Sequence, residues 1–407
     1  MQKWLSIVGI GEDGLEGVSP VGRSLLDRAS AIAGGERHLA LLPSDDRREK
    51  LLWTSPIADS VQQIIQRRGQ SVCVLASGDP MCYGIGATLL RQIPLAEMTI
   101  VPAPSAFSLA CARLGWSLTD VETLSLCGRD PALLNAVLYP GARILILSAD
   151  RTTPAAVAQR LTQQGYGDSQ IAVLERMGGP HERVTAGTAS TWTSPDLADL
   201  NTIALTLSPT PSTLHSPHTP GLPDTAYHHD GQLTKREVRA VTLSALAPLP
   251  GQLLWDVGAG CGSIAIEWMR SDRRCGAIAI EQHPNRLQYL ANNAQALGVP
   301  HLKIVPGVAP DALKDLPEPD AIFIGGGLTT PNLLETCWRS LRSGGHLVAN
   351  AVTVESEQML FQWQGKLGGN LTRIAIQRAE PIGKFLGWKA MAPVTQWVVV
   401  KRSSFLG

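Results

Sequence analysis

The sequence lacks an excess of either charge, because lysine plus arginine and aspartate plus glutamate each number 35. Proteins that bind nucleic acids or membrane surfaces usually carry a basic excess or a run of like charges. The sequence also lacks an apolar run long enough to span a bilayer, and residues 1–4 lead directly into a strand-like segment without the apolar core of a signal peptide. These absences predict a soluble, cytoplasmic protein without nucleic-acid or membrane partners.

Paired cysteines are absent as well. The seven cysteines are never closer than nine positions apart, so no CxxC pair exists. This spacing excludes zinc ribbons and redox dithiols, and an odd, dispersed set is typical of a reducing compartment. With 407 residues, 44% of them hydrophobic and 17% charged, the chain is expected to form two or three globular domains.

One segment, residues 208–232, is rich in proline, serine, threonine and histidine. Proline at this density prevents helices and central strands, so the segment predicts an extended connection between a first domain, 1–207, and a second domain, 233–407. It holds four of the nine histidines, which are His215, His218, His228 and His229. Their spacing matches no standard ligand pattern, so a solvated connection is favoured over a metal site.

Strand-like and helix-like segments alternate before the connection. Apolar runs such as 5–10 and 72–76 are short and are bounded by glycine, proline or aspartate, and helical patterns such as 20–29 and 154–164 lie between several of them. This alternation predicts an α/β fold, with a second lobe from about Arg143 onward.

The alternation is more regular after the connection. Thr234 to Glu237 form a T-x-x-E capping box, which predicts a helix from there to about Ala247. Strands are predicted at 252–257, 277–280, 303–305, 321–324, 346–350 and 396–401, with helices at 263–270 and 285–297. This order predicts one Rossmann-like, doubly wound domain of about 170 residues.

The chemical signal with the most specific spacing consists of Gly258, Gly260 and Gly262. A strand ends near Asp256, the glycines follow, and a helix begins directly after them. Glycines let backbone N–H groups approach a ligand, and a helix N terminus favours negative groups. Glu281 ends the next strand, nineteen residues after Gly262, where a carboxylate can accept hydrogen bonds from a ribose diol.

Two cofactors use a site of this kind. A dinucleotide fingerprint, G-x-G-x-x-G, would need its third glycine where this chain has Ser263, whereas the G-x-G-x-G spacing is typical of S-adenosylmethionine domains. The spacing favours a methyltransferase, with a nicotinamide oxidoreductase as the alternative. A G-x-G-x-x-G does occur at Gly9, Gly11 and Gly14, but the next helix starts only near Pro20, so its N terminus would not meet a phosphate.

Two loops of the second domain are further candidate ligand contacts. Residues 306–310 end its third strand and are placed to contact an adenine. Three consecutive glycines, Gly325, Gly326 and Gly327, end its fourth strand, at the edge of the sheet where substrates bind in such domains. We therefore expect this edge to hold both cofactor and substrate.

Another loop lies in the first domain. Gly78, Asp79 and Pro80 follow a strand, and Gly84 and Gly86 precede the next helix. A turn of this composition predicts a ligand-facing loop without indicating which ligand it binds.

Several segments together resemble known methylases. The first half is similar to the tetrapyrrole methylases of corrin biosynthesis, on residues 7–11, 33–38, 77–84, 102–108 and 175–180. The second half resembles the partner methylase that also decarboxylates, on residues 231–237, the glycine loop, 325–327 and 349–353. The resemblance covers nearly the whole chain outside the connection.

The resemblance implies a bifunctional enzyme of cobalamin biosynthesis that uses S-adenosylmethionine to methylate ring carbons C5 and C15 of a precorrin and removes CO2 from the ring C acetate. In the first domain it implies two α/β lobes with the methyl donor between them, near Gly78, Asp79 and Pro80. In the second domain it implies donor contacts from Thr234, Gly258, Ala259, Gly260, Cys261, Gly262, Glu281, Gly307 and Ala309. Related domains assemble into dimers or tetramers, so a homo-oligomer is expected.

The implied chemistry depends on holding the reactants in position more than on covalent help from the protein, so we expect no catalytic triad and no metal. Because a precorrin carries many carboxylates, Lys235, Arg236 and Arg239 are candidates to bind them, as are Arg37 and His38 of the first domain. A solvated helix surface is the alternative for these residues. A methylase pair acting on another substrate, such as RNA, is the alternative for the function, and the neutral charge disfavours it.

Overall fold

The structure, a computed structural model, describes residues 3–193, 196–208 and 219–402. His215 and His218, considered above as metal ligands, lie outside the described residues. The described histidines of the predicted connection are His228 and His229. No helix within the described ranges is long and apolar enough to cross a membrane.

The chain divides into two compact units. The N-terminal unit comprises residues 1–131 and 140–212, and the C-terminal unit comprises residues 132–139 and 213–407. Within the C-terminal unit, the short segment 132–139 contacts the chain at residues 295–296, where the Asn135 side-chain amide donates to the carbonyl oxygens of Gln295 and Ala296, each at 3.1 Å. The domain boundaries at 207 and 233 stay a prediction.

The N-terminal unit begins with a five-stranded parallel sheet. Its strands are β1 (Leu5–Ile10), β2 (Ala31–Gly34), β3 (Glu49–Leu52), β4 (Val72–Ser77) and β5 (Met98–Val101), in the order β3-β2-β4-β1-β5. Its helices are α1 (Pro20–Asp27), α2 (Glu36–Leu39), α3 (Ile57–Ile65) and α4 (Ile85–Leu89). Hydrophobic clusters cover both faces, so β1 and β4 are almost continuously buried.

The second sheet of this unit is mixed. After α5 (Ala106–Leu114) come β6 (Glu122–Ser125), β7 (Arg143–Leu147), α6 (Thr153–Gln163), β8 (Gln170–Glu175), β9 (Arg183–Thr188) and β10 (Asn201–Thr206). The strand order is β6-β7-β10-β8-β9, with β6 and β7 parallel and the other pairs antiparallel. The two-lobed α/β architecture that the resemblance implies is therefore confirmed.

The glycine motif after β1 has a packing role. A Cβ at Gly9 would lie 2.1 Å from the carbonyl oxygen of Gly78 and 2.5 Å from the backbone nitrogen of Ala103. Gly14 donates its N–H to the carbonyl oxygen of Gly11 in a tight turn. Gly9 thus allows β1 to pack closely against its neighbours and Gly14 closes a turn, so the motif gives the nicotinamide alternative no support.

The C-terminal unit is built on one seven-stranded sheet. Its strands are β11 (Leu253–Val257), β12 (Gly276–Glu281), β13 (Lys303–Pro306), β14 (Ala321–Ile324), β15 (His346–Ala351), β16 (Asn370–Ile374) and, after a hairpin of β17 (Gln377–Ile382) and β18 (Phe385–Ala390), β19 (Val394–Val400). The order is β13-β12-β11-β14-β15-β19-β16; the first five strands are parallel, and β19 is antiparallel to both neighbours. The predicted doubly wound domain is confirmed.

In the described part of this unit, five helices accompany the sheet: α7 (Arg236–Leu246), α8 (Ser263–Ser271), α9 (Pro284–Ala296), α10 (Leu333–Ser340) and α11 (Val354–Leu367). The predicted capping box at the start of α7 is wrong. The N-cap residue is Lys235, which makes no side-chain cap bond. The Glu237 carboxylate is instead bound by Arg378, at 2.6 Å, and is not available to cap the helix.

Residues 219–232, the described end of the predicted connection, pack against the core of the C-terminal unit. Leu222 and Tyr227 are buried there. The backbone N–H groups of Gly221 and Leu222 donate to the Glu267 carboxylate of α8, at 2.6 and 3.0 Å. This part of the segment therefore belongs to the folded unit, and it leads directly into the wall of the cavity described next.

Candidate functional site: two cavities at strand ends

The glycine loop after β11 is a left-handed turn. Gly258, Gly260 and Gly262 have φ values of +72°, +58° and +83°, which residues with side chains rarely adopt. A Cβ at Gly258 would lie 3.0 Å from the backbone nitrogen of Gly326, so the two glycine loops meet backbone to backbone. A Cβ at Gly260 would meet only the Gln232 carbonyl oxygen, at 3.5 Å, so the turn leaves open space for a ligand.

Glu281 closes this turn from the end of β12. Its carboxylate accepts hydrogen bonds from the backbone N–H groups of Gly260 at 2.8 Å, Gln282 at 2.8 Å and His283 at 2.9 Å. A carboxylate offers about four acceptor positions. Glu281 therefore holds the turn in shape and still has an acceptor position for a ligand hydroxyl.

A cavity of about 850 Å³ lies at this carboxyl edge of the sheet. Eleven residues predicted to bind cofactor or substrate line it: Thr234, Lys235, Gly258, Ala259, Gly260, Glu281, Gly307, Ala309, Gly325, Gly326 and Gly327. Cys261 and Gly262 lie behind the turn. The Cys261 side chain is buried, and a Cβ at Gly262 would lie 2.9 Å from Leu290. These two residues shape the turn without lining the cavity.

Arg239 does not line this cavity, which corrects its predicted role in binding substrate. Its guanidinium is fully buried, and its Nε donates to Glu267 at 2.5 Å. The remaining nitrogens donate to the carbonyl oxygens of Thr234 and Leu222. Glu267 also accepts the Tyr227 hydroxyl at 2.8 Å. A buried charge requires such partners, so Arg239 serves the core and the adjacent chain segment.

The other two predicted cations differ in position. Lys235 lines the cavity, with its ammonium 3.4 Å from the Gly231 carbonyl oxygen. Arg236 is exposed and does not line the cavity, and its backbone N–H donates to Asp224 at 2.9 Å. Of the three candidates, the structure thus brings only Lys235 to the cavity.

Among the polar side chains at this site that the sequence did not predict are Asn350, Arg378 and Lys389. Asn350 lines the cavity at the end of β15, donates to Thr242 at 3.0 Å and accepts from Gln396 at 3.0 Å. Its position at the carboxyl end of a predicted strand is the sequence signal that could have identified it as a site residue. Arg378 and Lys389, which also line the cavity, face each other across the β17–β18 hairpin, which the sequence did not predict.

Asp256 is buried behind the glycine turn. One carboxyl oxygen accepts the Ala265 N–H at 3.0 Å, and the other has no partner among the described residues. Burial outweighs this hydrogen bond and, together with the nearby Glu281 carboxylate, raises the pKa of Asp256 to about 7. The carboxyl is therefore partly protonated in neutral solution.

A second cavity, of about 430 Å³, lies in the N-terminal unit and is lined by residues of both its sheets. Gly78 and Asp79 line it. Gly78 has φ +55°, and a Cβ there would lie 2.8 Å from the Pro104 carbonyl oxygen. Pro80 does not line the cavity, and its carbonyl oxygen accepts the Gly86 N–H at 3.0 Å within the loop.

Four polar side chains cluster on the wall of this second cavity: Glu12, Arg37, His38 and Ser77. Arg37 pairs with Glu12, donates to the Ser77 hydroxyl at 2.8 Å and lies 3.1 Å from His38 Nε2. Because a guanidinium only donates, Nε2 is an acceptor and the ring proton is on Nδ1. Burial and the adjacent Arg37 charge lower the pKa of His38 to about 4, so the ring is neutral at pH 7.

Both units therefore carry a cavity bordered by strand ends and by glycines in left-handed conformations. In the C-terminal unit the glycine turn stands beside an acid at the end of the neighbouring strand, an arrangement suited to a nucleoside-type cofactor. The fold and the cavities define a two-unit α/β protein with a candidate small-molecule site in each unit.

Comparison with known proteins narrows this class. Residues 5–192 match the tetrapyrrole (corrin/porphyrin) methylases, and residues 225–401 match the precorrin methyltransferase domain. A precorrin-6Y C(5,15)-methyltransferase (decarboxylating) from Sinorhizobium sp is 48% identical over 394 residues, covering 97% of this chain and 95% of the relative. A protein of the same name from Mycobacterium tuberculosis is 46% identical over 399 residues, covering 97% and 99%.

Among solved structures, the C-terminal domain of precorrin-6Y C5,15-methyltransferase from Rhodobacter capsulatus is 45% identical, with a TM-score of 0.43, and covers 45% of this chain and 99% of that chain. The chain belongs to the family of precorrin-6Y C5,15-methyltransferases (decarboxylating). It is accordingly a methyltransferase, as the glycine spacing favours.

Proposed function

We propose that this enzyme uses S-adenosylmethionine to methylate precorrin-6Y at C5 and C15 and removes CO2 from the C12 acetate, giving precorrin-8. The N-terminal cavity would carry out one methylation, at C5. The C-terminal cavity would carry out the methylation at C15 together with the decarboxylation. The observation that carries the proposal is the left-handed turn at 258–262, held by Glu281 at the edge of a cavity of about 850 Å³.

The C-terminal cavity fits an adenosyl donor. The open space beside Gly260 and Gly326 admits a ligand close to the backbone. Glu281 would accept a hydrogen bond from the ribose diol, and Gly307 and Ala309 would border the adenine. Thr234 lies on the same wall, where its carbonyl oxygen is held by Arg239 at 2.5 Å. The donor contacts proposed for Cys261 and Gly262 would act through the shape of the turn.

Positioning supplies most of the catalysis in this proposal. A sulfonium gives up its methyl group readily because a neutral thioether leaves, and a reduced tetrapyrrole meso carbon is an enamine-like nucleophile. The barrier is therefore lowered chiefly by holding the methyl group and the meso carbon in line. Well-oriented reactants gain about 7–11 kcal/mol over reactants free in solution. In the decarboxylation, the electrons of the breaking C–C bond enter the conjugated macrocycle, which is its own electron sink. The protein's residues bind, orient and exclude water.

On the substrate side, Lys235 would bind a carboxylate of the macrocycle. Gly325, Gly326 and Gly327 would allow the flat ring of the macrocycle to approach the carboxyl end of β14. In the N-terminal cavity, Gly78 and Asp79 would border the donor, with Pro80 shaping the loop. Arg37 and His38 line the same cavity and stay candidate substrate contacts.

The test is to incubate the full-length chain with precorrin-6Y and methyl-labelled donor and to count methyl groups and CO2. We expect two methyl groups and one CO2 for the unaltered chain. Gly78→Val, which places side-chain atoms against Pro104, is expected to give one methyl group and one CO2. Glu281→Ala is expected to release no CO2.

Matched controls are Gly365→Val, where a Cβ meets nothing within 4 Å, and Glu335→Ala, which removes an exposed helix ion pair. Both are expected to behave like the unaltered chain. Two methyl groups from Gly78→Val, or CO2 from Glu281→Ala, would contradict the assignment of the two cavities. Titration with S-adenosylhomocysteine is expected to reveal two binding sites per chain.

The proposed setting is the cytoplasm, supported by seven cysteines that are all free thiols. We also propose a homo-oligomer. Its support is the tip of the β17–β18 hairpin, where Ile382, Phe385, Leu386 and Trp388 are all strongly exposed. Light scattering of the purified chain tests this, and a monomer at micromolar concentration would contradict it.

A further inference from the structure

Arg176 follows directly after β8 and has a backbone conformation that is unfavourable for arginine. Its φ is +47°, in the left-handed region, where a Cβ crowds the following carbonyl. Five non-glycine residues of the described chain have positive φ: Tyr83, Arg176, Ala247, Asp315 and Asn332. Two of the five, Tyr83 and Arg176, line the N-terminal cavity. Such strain persists where the surrounding structure enforces it, and it concentrates at ligand sites.

The surrounding backbone enforces the conformation of Arg176. Its N–H donates to the Leu200 carbonyl oxygen at 3.1 Å, and its own carbonyl oxygen accepts the Gly179 N–H at 3.1 Å. Gly178, two residues after Arg176, donates its N–H to the Glu182 carboxylate at 2.7 Å. The turn is thus held on both sides of Arg176, and the side chain is kept on the cavity wall.

The Arg176 guanidinium is exposed and, within the described ranges, has no acidic or hydrogen-bonding partner, although it lines a cavity that contains two acids. Glu12 is occupied by Arg37, and Asp79 accepts the N–H of Met81 at 2.8 Å. The neighbouring acid Glu175 is occupied by Arg183. A guanidinium has five donors in a planar fork that matches a carboxylate.

We propose that Arg176 binds a carboxylate of one of the two reactants in the N-terminal cavity. This inference rests on the proposed function, in which both reactants carry such a group. The methyl donor has one carboxylate at its amino-acid end, and the precorrin has several on its acetate and propionate side chains. In either case the strained backbone after β8 is retained because it presents the guanidinium to the cavity.

The first experiment separates the two sources of the carboxylate. Arg176→Gln removes the charge and the planar fork but keeps an unbranched, polar side chain. Binding of S-adenosylhomocysteine and of methylthioadenosine, which lacks the carboxylate, is measured in the full chain carrying Glu281→Ala, so that the N-terminal cavity is observed alone. The apparent KM for precorrin-6Y is measured with Arg176→Gln as the only substitution.

If Arg176 binds the donor, Arg176→Gln weakens S-adenosylhomocysteine about tenfold or more and leaves methylthioadenosine unchanged. If it binds the precorrin, the affinity for S-adenosylhomocysteine stays the same and the KM for precorrin-6Y rises about tenfold or more. Arg176→Lys, which keeps the charge but not the fork, should recover part of either loss. Changes of less than about twofold in all of these quantities would overturn the inference.

The second experiment tests the strain. Arg176→Gly removes the guanidinium as Arg176→Gln does, but glycine tolerates positive φ. We expect Arg176→Gly to melt about 1–4 °C above Arg176→Gln while showing the same loss of binding. Asp315→Gly, at another positive-φ residue that lines neither cavity, should also be stabilising relative to Asp315→Gln but leave activity unchanged. Equal melting of the two Arg176 variants would overturn the strain argument.

Failure of this inference is distinguishable from failure of the proposed function. If Glu281→Ala alone no longer binds S-adenosylhomocysteine at all, the N-terminal cavity is not a donor site and the proposed function fails there. If Glu281→Ala binds it, and Arg176→Gln changes neither ligand affinity nor KM, only the role of Arg176 is lost.

Discussion

The two units hold their cavity walls in different ways. In the N-terminal unit, the wall is held by close backbone contacts, as where Gly9 leaves room for the carbonyl of Gly78, and the buried titratable side chain is a neutral histidine, His38. In the C-terminal unit, a fully buried ion pair, Arg239 with Glu267, holds the segment that leads into the cavity. Close backbone contacts of glycines therefore border both cavities, whereas in the C-terminal unit the segment that leads into the cavity also depends on a fully buried ion pair.

The largest expected effect comes from removing the buried charge. Arg239→Ala should destabilise the C-terminal unit by about 3–5 kcal/mol, because Glu267 is left buried without its cation. The measurement is the oxidation of buried methionines as a function of urea concentration. Met98 reports unfolding of the N-terminal unit and Met269 reports unfolding of the C-terminal unit. Only the Met269 transition should move.

The matched control for Arg239→Ala is Arg151→Ala, which removes an ion pair with Asp199 in which both side chains are more than half exposed. It should leave the free energy of unfolding nearly unchanged, because exposed pairs are screened by water. If Arg239→Ala costs no more than Arg151→Ala, the C-terminal cavity wall does not depend on buried charge, and the contrast between the units disappears.

The next effect is a pH response of opposite sign in the two units. Unfolded histidine has a pKa of 6.5, and His38 in the folded unit has a pKa of about 4. Between these values the unfolded state binds more protons, so acidification destabilises the folded N-terminal unit. From pH 7 to pH 5 this amounts to about 2 kcal/mol. His38→Gln should abolish the loss in the Met98 transition.

In the C-terminal unit the sign reverses because an acid is buried. The pKa of Asp256 is about 7 in the folded unit against 3.8 for the ordinary group. Between these values the folded state binds more protons, so acidification from pH 7 to pH 5 stabilises this unit by about 2 kcal/mol. Asp256→Asn should abolish the gain in the Met269 transition. Movement of both transitions in the same direction in the unaltered chain would contradict the comparison.

The smallest effect is expected at Cys261. Burial raises the pKa of the Cys261 thiol to about 11, so it is neutral, and it does not line the cavity. Cys261→Ser should change S-adenosylhomocysteine affinity less than about twofold and cost about 1 kcal/mol for burying a hydroxyl.

The contrasting variant is Gly260→Ala, in the same turn. Alanine at φ +58° costs about 1–2 kcal/mol and places a Cβ in the open space, so donor binding should weaken about tenfold. If Cys261→Ser weakens binding as much as Gly260→Ala, the turn acts through its side chains as well as through its backbone.

Much of the fold and of the donor site was predictable because the signals are local. Short apolar runs bounded by glycine and proline predicted the strands that the structure contains, such as β1 and β4. The spacing of the glycine turn and the position of Glu281 at the end of the next strand predicted that these residues lie at one edge of the sheet, because parallel strands end on the same side. The T-x-x-E signal misled, because Arg378, distant in sequence, binds Glu237.

By itself, then, the amino-acid sequence determined the parallel α/β pattern, the left-handed glycines and the acid beside them. The conformational freedom of glycine and the periodicity of a strand depend only on residues that are adjacent in sequence. Tertiary structure alone decided that Arg239 is a core residue, since burial depends on residues 219–232 packing against α8. It also decided that Asn350 and the β17–β18 hairpin reach the same cavity as Lys235. Burial and desolvation are properties of chain segments far apart in sequence, and they change what a charged side chain can do.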